Sequence, residues 1–148
     1  MIRSILSLVV LAGLMGCGGE TAKELPKTQP VSGVVTLDGQ PLAGAVVTFI
    51  PTDATTGVEC VGQTDESGKY SPTQTRGSEG VPTGTYKVTI SRFLRGGKPI
   101  PLDDAGGGTG GVVVESLPPH YSNPSATTQT ATVPEGGGTA FDFKLTSK

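Results

Sequence analysis

Side chains able to do covalent or acid–base chemistry are few in this sequence. It has one histidine, His120, two cysteines, Cys17 and Cys60, and no tryptophan. A Ser-His-Asp arrangement needs a serine held against a histidine. There is no Gly-x-Ser-x-Gly, and His120 stands between Pro119 and Tyr121 in a proline-rich stretch. A catalytic thiolate also needs a base at the sulfur. Cys60 lies in Val58-Glu59-Cys60-Val61-Gly62, which alternates like a strand, so it reads as a small buried hydrophobe. These residues leave little material for a zinc site. No catalytic, cofactor-binding or metal-ligating residue is assigned, and no enzyme activity is expected.

Other patterns that suggest chemistry have plainer readings. Gly106-Gly107-Gly108-Thr109-Gly110-Gly111 satisfies G-x-G-x-x-G, but no strand, helix or βαβ unit frames it and no Gly-Lys-Ser/Thr follows. It reads as a loop, not a nucleotide site. Asp65-Glu66-Ser67-Gly68 lacks the ligand spacing and the final Glu of a calcium loop and reads as a turn. Asp103-Asp104 is an exposed acidic pair. Arg92, Arg95 and Lys98 flank Phe93 and Leu94, a small basic patch able to touch anionic lipid or glycan but more simply a solvated loop. A formal net charge of -2 gives no electrostatic case for nucleic acid.

Cys17 carries the strongest chemical signal. Arg3 precedes an apolar run from Ile5 to Leu14, the length of a signal-peptide core. A transmembrane helix needs roughly 20 apolar residues. Leu14-Met15-Gly16-Cys17 resembles a bacterial lipobox, with Leu three residues before the cysteine and a small residue just before it. Met15 is larger than the residue usual at its position. The resemblance implies diacylation of the Cys17 thiol, cleavage after Gly16 and acylation of the new amine. Two or three chains anchor a protein stably where one does not. Residues 1–16 are thus the expected lipoprotein signal peptide. Residues 17–30, polar and with Pro26 and Pro30, are a flexible tether. Gly18-Gly19 after the cysteine favours the outer over the inner membrane. A lipidated Cys17 cannot form a disulfide, which leaves Cys60 alone.

From Val31 the chain alternates with period two. Expected strands are Val31 to Leu37, Ala45 to Ile50, Val58 to Thr64, Lys69 to Ser71, Tyr86 to Ser91, Thr128 to Val133 and Ala140 to Leu145. Asp38-Gly39 is a hairpin signal because glycine accepts positive φ. With 23 Gly and 12 Pro in 148 residues, helical bundles are excluded and one domain is the expected size. About seven short strands predict an all-β fold, a single antiparallel two-sheet sandwich. Its predicted core is Val35, Leu37, Val47, Phe49, Tyr70, Tyr86, Val88, Ile90, Phe141, Phe143 and Leu145. Arg92 to Ser125 is a long Gly- and Pro-rich loop, mobile or functional. Within it Val112-Val113-Val114 is a candidate edge strand, and Pro118 to Tyr121 a structured crossing that packs Tyr121 on the sandwich.

Val31-Ser32-Gly33-Val34-Val35, Asp38-Gly39-Gln40-Pro41-Leu42-Ala43-Gly44-Ala45-Val46-Val47-Thr48-Phe49, Thr64 to Tyr70 and Pro82 to Val88 together resemble carboxypeptidase regulatory-like domains. Pro119 to Pro124 and Phe141 to Leu145 are similar to the endings of small planctomycete lipoproteins. The resemblance spans residues 31–146 and implies a transthyretin-like (prealbumin-type, Ig-like) sandwich; it implies fold rather than chemistry. Hydroxyisourate hydrolases of that fold use several His and Arg residues and a C-terminal Tyr-Arg-Gly-Ser. This chain ends Leu145-Thr146-Ser147-Lys148, so that activity does not transfer. The expected function is a lipid-anchored cell-envelope binding or structural module. It would contact protein or glycan partners through loops or an edge strand, with no cofactor, nucleotide or nucleic acid. The alternative is an accessory domain of a secreted hydrolase, or a hydrolase with its site in the 92–125 loop.

Overall fold

Short alternating runs separated by turn residues favour strands, because each run can bury one face and solvate the other. The computed structural model describes residues 27–148 except 54, 56, 76, 105–109, 137 and 138. The expected signal peptide, Cys17, the expected tether up to residue 26 and Gly106 to Thr109 lie outside the described residues. In chain order the strands are β1 (Thr28–Gln29), β2 (Val31–Leu37), β3 (Gln40–Pro41), β4 (Val46–Pro51), β5 (Cys60–Gln63), β6 (Lys69–Tyr70), β7 (Thr73–Gln74) and β8 (Val81–Pro82). They continue with β9 (Gly84–Ser91), β10 (Phe93–Arg95), β11 (Lys98–Pro99), β12 (Val113–Glu115), β13 (Thr130–Val133), β14 (Thr139–Ala140) and β15 (Phe143–Leu145). One helical turn, α1 (Pro119–Ser122), and a 3-10 turn at Leu102–Asp104 complete the set.

The fold is an all-β sandwich. One sheet runs β13-β9-β4-β5-β7, antiparallel throughout. The other is built on β2, with β3 and β6 antiparallel along one edge and β14 and β15 along the other. Those last two pair with β2 in parallel, Thr139 opposite Val31 and Leu145 opposite Leu37. The expectation of a purely antiparallel sandwich is corrected here. The link from β13 to β14 crosses from one sheet to the other, and a crossover connection is what lets two strands run side by side in one direction.

Phe49 sits between the sheets. It is fully buried, and its ring centroid lies 5.9 Å from Tyr86, 6.1 Å from Phe141 and 6.3 Å from Tyr70. Nine of the expected core residues are buried: Val35, Val47, Phe49, Tyr70, Tyr86, Val88, Ile90, Phe143 and Leu145. Leu37 and Phe141 are only half-buried and pack against that core. Val133 joins it from the expected strand Thr128 to Val133 and Tyr121 from the expected crossing, while Leu42, Val81 and Leu117 come from segments whose pattern is too short to read.

Turn chemistry follows the sequence. Asp38 and Gly39 take φ values of 49° and 82°, which closes the two-residue β2–β3 hairpin as a primed turn. Thr28–Gln29 pair with β8, so the ordered domain begins before Val31. The stretch expected as a loop from Arg92 to Ser125 contains a small sheet of its own, β11-β10-β12, followed by α1. Tyr121 of α1 is buried, and its hydroxyl accepts a hydrogen bond from the Thr146 N–H at 3.0 Å, as the crossing reading anticipates.

β9 fixes the two ends of the molecule. Its start follows β8, the partner of β1; its end leads into the small sheet. Eight residues of strand separate them, roughly 26 Å at the rise of an extended chain. β1 therefore lies at one pole and the inserted sheet at the other.

Candidate functional site

Of the side chains that suggested covalent or acid–base chemistry, the two described ones lie in different surroundings, Cys60 buried and His120 exposed. Cys60 is fully buried on the inner face of β5, and its thiol donates weakly to the Val58 carbonyl at 3.4 Å. Burial, and after it the charge of Glu59, pushes the thiol pKa up to about 11. His120 is exposed on α1, its ring against Tyr121 at 4.0 Å between centroids. Among the described residues no three His, Cys, Asp or Glu side chains converge as a metal group. Native protein at pH 8 should leave the Cys60 peptide unlabelled by a disulfide reagent over an hour-long assay and label it fully in denaturant, because only thiolate reacts. Rapid labelling of the Cys60 peptide in folded protein would contradict the buried placement.

Asp65 closes a turn. Its Oδ1 accepts from the Ser67 hydroxyl at 2.7 Å, the Ser67 N–H at 2.8 Å and the Lys69 N–H at 3.0 Å. The Ser67 hydroxyl bond, foremost, holds its pKa below the ordinary carboxylate value. Its lone pairs are directed at the chain itself, consistent with a turn. Asp103 is exposed, while Asp104 pairs with Arg95 at 3.1 Å. Arg92 is half-buried with Lys98 exposed. The expected basic patch is thus partly neutralised from within.

A groove of about 470 Å³ lies on the outer face of the β2 sheet, lined by Ser32, Val34, Lys69, Ser71, Ala140 and Asp142. It marks the break between β14 and β15. There the Asp142 carboxylate, rather than a backbone carbonyl, accepts the Val34 N–H at 2.9 Å. The arrangement serves the sheet.

The inserted sheet is different. Its base is held firmly. Gln63 donates from Nε2 to the Ile100 carbonyl at 2.8 Å and accepts the Leu102 N–H at Oε1 at 2.9 Å. Glu115 Oε1 accepts from the Arg92 N–H at 2.8 Å and the Leu117 N–H at 3.0 Å. On that base stands an apolar surface. Phe93 is 41% exposed, Leu102 42%, Val112 80%, Val113 48% and Val114 53%. A cleft of about 190 Å³ runs beneath, lined by Val46, Phe93, Arg95, Ile100, Leu102 and Val113. β12 ends the sheet, and its outer edge has no partner among the described residues. Water-exposed valines in series on an open strand are unfavourable unless something covers them.

The valine triplet was visible in the sequence as an edge strand. The convergence of Val113 with Phe93 and Leu102 was not, since Gln63 fastens the insertion from a distant strand. Gly110 and Gly111 both have positive φ and lead into β12. The glycine run, or the part of it that is described, serves this approach.

The chain matches no protein-family model, and searches of curated proteins and of solved structures give no significant match. No helix among the described residues is long and apolar enough to cross a membrane.

Proposed function

We propose that this chain is a lipid-anchored module of the cell envelope, without catalytic activity, that binds a protein partner through the apolar edge of its inserted sheet. One observation carries the reading: Val112, Val113 and Val114 are exposed in series where the chain enters β12, a strand paired with β10 on one side, without a partner among the described residues on the other, and hydrogen-bonded at its base. Strand addition at such an edge gives affinity through the main chain and specificity through alternate side chains. The anchor rests on Arg3, the apolar run and Leu14-Met15-Gly16-Cys17. The separation of the β1 pole from the inserted sheet supports it, since a chain tethered near β1 presents β12 away from the lipid. The resemblance to carboxypeptidase regulatory-like domains belongs to the same proposal and accords with the two-sheet architecture and the Asp38-Gly39 hairpin.

Two measurements test it. The intact mass of protein isolated from its own membrane should show Cys17 as the first residue, carrying diacylglycerol and a further acyl chain. A free thiol at Cys17 refutes the anchor. A photo-crosslinker at Val114 in intact cells should capture a defined protein, and the same probe at Lys87, on the outer face of β9, should not. Equal capture at both positions refutes the edge.

A further inference from the structure

We draw no further inference here: the strongest candidate, the apolar surface of the inserted sheet where Val113 and Phe93 stand over the cleft at the open edge of β12, belongs to the site already described, and nothing in the structure shows what covers it.

Discussion

Phe49→Ala should lower the stability of the domain by about 3–5 kcal/mol, the range for truncating a buried phenylalanine. Whole domains of this size have only about 5–15 kcal/mol to lose. Position decides the magnitude. Phe49 is on β4, the central strand of its sheet, opposite Cys60 on one side and Val88 on the other. Its ring touches the aromatic residues of both sheets, two of them edge-on, near 70°. Such pairs add about 0.5–1.5 kcal/mol each beyond area burial. No neighbour can collapse into the space, because both flanking strands are fixed in their ladders. Urea unfolding should show a midpoint lower by about 2 M with the slope unchanged, given slopes of about 1–3 kcal/mol/M. A midpoint within about 0.5 M of the parent would mean that the two sheets do not meet at Phe49.

Gly33→Ala should cost about 3 kcal/mol, although it adds a single methyl group to a strand whose φ any residue can adopt; overpacking alone accounts for about 1–3 kcal/mol. A Cβ at Gly33 would overlap the Phe141 carbonyl oxygen and come within 2.8 Å of the Tyr70 ring. Tyr70 faces Gly33 across the β2–β6 pair, and its ring passes over the glycine to donate its hydroxyl to that same carbonyl at 2.8 Å. The methyl group therefore pushes on the C-terminal strand pairing and breaks a hydrogen bond worth about 0.5–1.5 kcal/mol. Tyr70→Phe separates the two effects. It keeps the ring, loses only the hydroxyl, and should cost about 1 kcal/mol. Equal losses in the two variants would place the whole effect in the hydrogen bond; a neutral Gly33→Ala would rule out the close approach of Phe141.

Period-two alternation was enough to locate β2, β4 and β9 and to say which of their residues face inward. Such alternation states which face a residue takes and says nothing about which strand lies alongside. Phe141, Phe143 and Leu145 therefore announced a strand but not that it runs parallel to β2. The Asp38-Gly39 turn was readable because its backbone demands are local. Gly33 was not, since its reason lies in Tyr70 and Phe141. The inserted sheet was half legible. Val112 to Val114 had the look of an edge, but β10 and β11 are three and two residues long, and their clasp by Gln63 depends on a residue read only as part of another strand. Of the proposed site, the valines came from sequence and the free edge from topology. Cys17 remains a matter of sequence alone.

The parallel neighbour of β2 also sets a clock. Val34 and Asp142, joined by a hydrogen bond, are 108 residues apart in the chain, an interval of about 5–20 s at ordinary rates of synthesis of about 5–20 residues per second. The β4–β5 and β4–β9 pairs are complete long before then. β2 must wait, its inner valines covered on one edge by β3 and β6 and open on the other. The first long strand to be made is thus among the last to be finished, and the molecule closes where it began.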